Sequence, residues 1–441
     1  MKTPTLESLY HRTSPATPSF DAWETPAHVH TVPAHVQTVI VGGGFAGINT
    51  ALGLAERAIS ALVLEQNSIG FGASGRNGGF VFAGYSLGEQ ALLNALGANL
   101  AKAWYQRTQA AVNLIRERIK RYAISCEAVD AGVLWANWFA DSKVLSARQN
   151  LLREHFASDW RAVTKAELAT MLNTTHYSGA LFERNALHLN PLRLIRGLAE
   201  AARAQGAKIV EQVQVESITL IVNTPGRVKR WRVSTSHGNV ECDHVVLACG
   251  GYLADKLAQN QPALSHAVLP IATYVIATEA LGARLNDVIN TDAAVYDTRF
   301  AFDYYRATPE RRIVWGGRIN VRDAAPEQVT KMLRADMVRV YPQLKDVKIE
   351  YAWSGLMSYA THEMPQIGQI QPGLWYAQAF GGHGLAPCCV AGETLASAIA
   401  AGDLSYLELK QFGLTRTFGA LGLAAAQTKY WWLQGLDWWR S

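Results

Sequence analysis

The stretch Val36-Gln37-Thr38-Val39-Ile40-Val41 runs directly into Gly42-Gly43-Gly44-Phe45-Ala46-Gly47, and its reading decides the fold. The Val- and Ile-rich run predicts a buried strand, and Gly-x-Gly-x-x-Gly predicts a sharp break into a helix from Phe45 to Arg57. Gly42 permits the tight turn, Gly44 lets backbone approach a pyrophosphate, and Gly47 lets the helix pack against the sheet. The first N–H groups of that helix then face the phosphates. A second strand, Ser60-Ala61-Leu62-Val63-Leu64-Glu65, ends in an acid placed to accept hydrogen bonds from an adenosine ribose. Glycine turn, flanking strands, helix and acid together specify a dinucleotide cradle.

Working outward, 441 residues at 49% hydrophobic and 17% charged are enough for two packed domains. The net charge of +5 comes from scattered Lys and Arg, which argues against nucleic acid and suits a small anionic ligand. Five cysteines, Cys126, Cys242, Cys249, Cys388 and Cys389, form no Cys-x-x-Cys pair. That usage fits a reducing compartment, with the cytoplasm as default, and no metal centre is expected. Met1 to Pro33 is rich in Pro, Thr, Ser and His, unlike a signal or transit peptide, and no membrane-spanning helix is expected.

Residues 1–32 read as an irregular arm lying on the body or against a partner. The nucleotide unit is expected from 33–85, 188–255 and 360–405, a substrate domain from 86–187 and 256–359, and a helical tail from 406–441. Ile69-Gly70-Phe71-Gly72-Ala73-Ser74-Gly75-Arg76-Asn77-Gly78-Gly79 presents backbone to something flat or charged. Residues 86–170 show helical periodicity interrupted by a strand at Gly132–Ala136. Asn190-Pro191 opens a helix through Gln205, Lys208 to Leu220 alternates as strands, and Thr224-Pro225-Gly226 is a turn. Val245 to Gly251 is a strand ending in Gly250-Gly251, and one helix is expected near Pro326 to Tyr341. Leu374 to Ala379 then leads into Phe380-Gly381-Gly382-His383-Gly384-Leu385 and a small-residue helix from Ala391 to Ala400, a second strand, glycine turn and helix.

The four glycine segments at 42–47, 70–79, 249–251 and 381–385, in that order, resemble the flavoenzyme superfamily of D-amino-acid oxidase, glycine oxidase and sarcosine oxidase. Gly70 to Gly79, Arg116 to Tyr122, Asp303-Tyr304-Tyr305-Arg306 and Tyr341-Pro342-Gln343-Leu344-Lys345 look most like its bacterial gamma-glutamylputrescine oxidase branch. The resemblance implies an α/β fold: a Rossmann-like FAD domain built from discontinuous segments, plus an α+β substrate domain with a large mixed sheet. It also implies that Gly42, Gly44 and Gly47 hold the FAD pyrophosphate and Glu65 the ribose, and that Ser74, Arg76 and Asn77 run along the flavin with Gly250. Val215 would meet the adenine, and Gly382, His383, Gly384 and Leu385 would close over the ring. Phe80 stands where close relatives often carry Gln, and Met357 where amino-acid oxidases place a carboxylate-clamping Arg. Arg318 stands where the putrescine-derivative oxidase has Gly. The segment 358–368 lacks the Cys through which some relatives attach FAD, so non-covalent FAD is expected.

Such a flavin would take hydride from the carbon bearing nitrogen, giving an imine that water hydrolyses to an aldehyde and amine or ammonia. The protein's part is placement of a neutral amine, for which aromatic walls suit better than a strong acid and base. Tyr304, Tyr305, Phe300, Phe302 and Trp353 are the candidate wall, and each equally suits a core. Arg318 is either a carboxylate anchor or a solvated strand-end cation. Three readings stay open: oxidation of a primary or secondary amine such as gamma-glutamylputrescine; oxidation of a cyclic or N-alkyl amino acid such as pipecolate, proline or sarcosine; and a flavin-binding electron-transfer subunit. The acceptor is oxygen or a membrane or protein carrier. Leu421 to Arg440, with Trp431, Trp432, Trp438 and Trp439, either docks on the body, the favoured reading, or lies on the inner membrane's surface.

Overall fold

The structure is a computed structural model that describes residues 8–14, 35–221, 230–321 and 324–440. Its first sheet carries the strands Gln366–Gln371, Leu374–Gln378, Gly238–Leu247, His35–Val41, Ala61–Leu64 and Lys208–Val210, in that spatial order. Arg230–Thr235 and Val215–Ile221 extend it as an antiparallel ribbon. His35–Val41 is parallel to both neighbours, with Val41 opposite Leu247 on one side and Leu64 on the other. Its run of buried Val and Ile follows from burial on both faces of a parallel sheet.

The turn after this strand obeys the reading of its glycines. Gly42 has φ +111°, and a Cβ on Gly47 would sit 2.0 Å from the Gly42 carbonyl oxygen. The helix Phe45–Ala55, completely buried, therefore presses onto its own turn. Beside it lies Leu385–Ala401, which begins directly at the 381–384 turn instead of at Ala391. A third helix, Ala98–Arg121, packs against the second. Its Arg118 is fully buried and pairs with Glu56 at 2.7 Å and Glu393 at 2.5 Å, one carboxylate from each nucleotide helix. A boundary at residue 86 thus cuts through a core that this helix shares with the nucleotide layer.

The second sheet runs Ile349–Tyr359, Leu269–Thr278, Ile313–Asn320, Tyr304–Ala307, Ala294–Asp297, Val133–Ala136, Ala180–Glu183 and Arg161–Val163. The helix Pro326–Val340 packs on it through Val329, Leu333 and Met337, making a separate core. Asn190 caps the helix Pro191–Ala204 by accepting from Arg193 N, with Pro191 in the first turn where its missing N–H costs nothing.

Two expectations change at the ends of the chain. Leu9–Thr13 is a short helix, capped by Ser8, with Leu9 and Tyr10 buried, so this part of the arm is regular because its apolar residues have a core to enter. The helix Ala420–Arg440 docks through polar side chains: Gln427 accepts from Val321 N, Tyr430 from Ile319 N, and Asp437 from Phe300 N and Ala301 N. Trp431, Trp432, Trp438 and Trp439 stay exposed on its outer side. Among the described residues no helix is long and apolar enough to cross a membrane. The turn expected at Thr224-Pro225-Gly226 lies outside the described residues.

Candidate active site

One cavity of about 880 Å³ runs between the two sheets and collects the glycine segments. Its far end is walled by Glu65 and Val215, its middle by Gly42 to Ala46 and Ser74, and its near end by Arg76, Gly250, Gly251 and Gly381 to Leu385. Of the residues expected at the site, Gly47 and Tyr305 do not open onto it. Gly47 is packed beneath Gly42 and acts on helix placement. Tyr305 lies on the opposite side of the second sheet, stacked on Trp315 at 4.3 Å with its hydroxyl 3.0 Å from that of Tyr341. Side chains alternate along a strand, so Tyr304 enters the cavity and Tyr305 the core. Trp353 is likewise core, its indole N–H donating to the Arg76 carbonyl at 2.9 Å.

The far and middle parts fit a dinucleotide. Glu65 accepts from Gly43 N at 2.7 Å and from Asn67 N at 2.8 Å, each oxygen retaining acceptor capacity for a ribose hydroxyl. Burial raises its pKa and these N–H groups oppose the rise. The helices Phe45–Ala55 and Leu385–Ala401 begin at Gly44 and Gly384, neither of which supplies a side-chain cap. Two helix N-termini at one cavity favour an anion such as a pyrophosphate. Ser74 Oγ accepts from Phe45 N at 2.9 Å, bringing the 70–79 loop against the first of them. Asn77 spends its side chain on that loop, donating to Ala73 and Ser74 carbonyls and accepting from Gly79 N.

The near end fits a flat ring. Arg76 is buried, its Nε donating to the Phe71 carbonyl at 2.9 Å. His383 Nε2 lies 3.1 Å from the Phe82 carbonyl, which only accepts, so Nε2 carries the proton. Its ring lies deep in the protein but opens onto the cavity, and burial pushes its pKa down to about 4. His383 is therefore a neutral imidazole with a bare Nδ1.

Beyond it, Tyr304, Phe80, Phe82, Tyr296 and Phe302 form a continuous aromatic wall, with Phe82 stacked on Tyr296 at 5.3 Å and Phe80 edge-on to Tyr304 at 5.5 Å. Among the described residues four arginines line the cavity: Arg76 at its near end, and at this chamber three whose guanidinium groups are each held by carboxylate. Arg148 pairs with Glu89 at 2.7 Å, Arg299 with Asp297 and Asp303 at 2.6 and 2.7 Å, and Arg318 with Asp336. Arg318 is neither a free anchor nor a solvated cation. It is the extra residue of a bulge opposite Thr273 and Tyr274, with φ +59°, and this turns its side chain to Asp336. Arg148, Arg299 and Tyr296 were not singled out from sequence. They lie in an unremarkable helix, a strand and the bend that follows it, and only the pairing of distant strands brings them to the chamber.

The FAD dependent oxidoreductase family model, DAO, matches residues 37–398. The chain is 32% identical over 366 residues to the gamma-glutamylputrescine oxidoreductase of Escherichia coli, covering 81% of this chain and 82% of that one. It is 31% identical over 379 residues to the probable oxidoreductase OrdL of Haemophilus influenzae, covering 84% of each. Among solved structures, glycine oxidase from Geobacillus kaustophilus superposes with a TM-score of 0.71 at 21% identity, covering 88% of this chain and all of that one. L-proline dehydrogenase from P. horikoshii gives 0.71 at 18% identity, covering 87% of this chain and all of that one. These likenesses support the expected α/β flavoenzyme fold and FAD as cofactor. The chain belongs to the DAO family of FAD-dependent oxidoreductases and is an enzyme acting on amines or amino acids.

Proposed function

We propose that the enzyme oxidises a primary or secondary amine at the end of a gamma-glutamylputrescine-like chain. Bound FAD, held non-covalently, supplies the hydride acceptor at N5. The substrate carbon loses a hydride and its nitrogen a proton, giving an imine, and water adds to that imine to release aldehyde and amine or ammonia. Tyr304, Phe80, Phe82, Tyr296 and Phe302 exclude water from the reacting end and favour the uncharged amine, whose lone pair assists departure of hydride. Neutral His383, hydrogen-bonded to Phe82 through Nε2, keeps the ring-facing turn in place without adding charge.

The observation that carries this reading is the neutralisation of Arg148, Arg299 and Arg318 by their own carboxylates. An α-amino-acid substrate needs a cation beside the reactive carbon, and the rival, a cyclic or N-alkyl amino acid anchored by Arg318, requires that Arg318 leave Asp336. Anaerobic bleaching of the flavin against polyamines, gamma-glutamyl amines and cyclic amino acids tests the choice. Bleaching by gamma-glutamyl amines is the expected result. Faster bleaching by pipecolate or proline, abolished in Arg318→Ala, would reverse it.

For the electron acceptor, the exposed tryptophans of the C-terminal helix favour a carrier at an anionic membrane surface, because indoles settle at the headgroup level. Co-sedimentation with phosphatidylglycerol vesicles, lost in a variant with Trp431, Trp432, Trp438 and Trp439 changed to Ser, is the expected outcome. Rapid recovery of colour in air without vesicles would favour oxygen.

A further inference from the structure

The C-terminal helix does more than dock. Gly422, Ala425, Ala426 and Lys429 recur at helical spacing along one face, and all open onto the catalytic cavity. The polar contacts of Gln427, Tyr430 and Asp437 fix that face to the second sheet. The helix is therefore a wall of the chamber, with small side chains leaving width for a methylene chain and a cation at the end. Lys429 Nζ lies 2.9 Å from Glu363 Oε1, and both residues line the cavity. Glu363 follows the strand Ile349–Tyr359 and has φ +60°. Tyr359 connects it to the ring-facing turn, since a Cβ on Gly382 would lie 2.9 Å from the Tyr359 hydroxyl. Both charges are half-exposed, at 58% and 36%, unlike the enclosed Arg299 pair. A half-exposed pair gains little from its own contact and exchanges partners readily.

We propose that Lys429 and Glu363 form the binding site for a zwitterionic α-amino-acid head at the far end of the substrate, resting on the amine-oxidation reading above. The head's carboxylate accepts from the Lys429 ammonium, and its own ammonium donates to the Glu363 carboxylate. Each member of the pair has capacity for this beyond the single contact between them, three donors on one side and two acceptor oxygens on the other. The acyl chain then runs along Gly422, Ala425 and Ala426, directing the distal amine towards the aromatic chamber.

The test is an anaerobic flavin-absorbance titration of the holoenzyme at low ionic strength with three amides of butylamine, each lacking the distal amine of the putrescine chain, with bleaching separating turnover from binding. The acyl groups are γ-glutamyl, glutaryl, which lacks the ammonium, and 4-aminobutyryl, which lacks the carboxylate. Lys429→Gln should weaken binding of the γ-glutamyl and glutaryl amides about tenfold and leave the 4-aminobutyryl amide within about twofold. Glu363→Gln should weaken the γ-glutamyl and 4-aminobutyryl amides and spare the glutaryl one. Unchanged FAD content and melting temperature in both variants are the accompanying expectation. Failure of the wild type to bind the γ-glutamyl amide, or equal losses for all three amides, would overturn the site. Because these amides lack the distal amine, failure to oxidise gamma-glutamylputrescine would strike the proposed reaction and leave this binding result readable.

Discussion

Arg318 donates from Nε and Nη2 to the two carboxylate oxygens of Asp336, at 2.7 and 2.6 Å, across the gap between a bulged strand and the helix Pro326–Val340. This two-pronged pair makes Arg318 part of the wall. In Arg318→Ala, the nine-tenths-buried Asp336 loses its partner, and urea unfolding should show a loss of about 2 kcal/mol. Asp336→Ala has the complementary effect of freeing the guanidinium within the chamber. That variant should bind small carboxylates more tightly than wild type, read as flavin spectral shifts.

The two nucleotide-turn glycines separate packing from cofactor approach. A Cβ on Gly47 collides with backbone at 2.0 Å, whereas one on Gly44 meets only the Ser74 hydroxyl at 3.0 Å. Gly47→Ala should cost about 3 kcal/mol or prevent folding, seen in melting of the apoprotein. Gly44→Ala should leave the apoprotein's melting nearly unchanged and weaken FAD affinity, measured by fluorescence titration, by about tenfold or more.

Tyr304 and Tyr305 offer a paired test. Tyr305→Phe removes the hydroxyl contact with Tyr341 and should cost about 1 kcal/mol of stability with kcat unchanged. Tyr304→Ala opens the chamber and should lower kcat/KM for amines about tenfold or more while moving the melting temperature less than Tyr305→Ala does.

Cys249 and Cys388 both border the cavity, yet burial pushes the Cys249 thiol up to about 12 and the Cys388 thiol well above its ordinary value. Thiols kept protonated are poor nucleophiles. Acid precipitation should therefore release all the yellow colour to the supernatant, and Cys249→Ser and Cys388→Ser should behave identically in that assay.

Acid sensitivity follows from buried neutral histidines. His188 is pushed down to about 3, and His383 to about 4, by burial. Below pH 6.5 these histidines take up protons in the unfolded chain that the folded chain refuses, so their contribution to stability falls as pH drops towards 4, while the buried Glu183 carboxyl, pushed up to about 8 by burial, contributes in the opposite direction. Urea midpoints measured from pH 7.5 to 4.5 for wild type and His188→Gln isolate the histidine: the variant should gain stability relative to wild type as pH falls.

Much of the cofactor groove was legible because its determinants are local. Gly42, Gly44, Gly47 and Glu65 sit within one strand–turn–helix–strand unit, where backbone geometry dictates residue type over a couple of dozen positions. The chamber was less legible because its residues owe their roles to partners far along the chain. Arg318 is decided by Asp336 and by a bulge opposite Thr273, Arg148 by Glu89, and Lys429 by Glu363. In Asp303-Tyr304-Tyr305-Arg306, alternation predicts that the tyrosines face opposite ways, but periodicity carries no label for which face is cavity.

By itself, then, the order of residues determined a nucleotide-binding α/β chain with glycine turns suited to FAD, because turn conformation and helix entry depend on neighbours in sequence. The tertiary structure decided which aromatics line the cavity, which arginines are held there by carboxylates, and that the C-terminal helix is a wall of the cavity. Those outcomes depend on which distant strands and helices pack together, and desolvation and charge pairing act only after that packing is made.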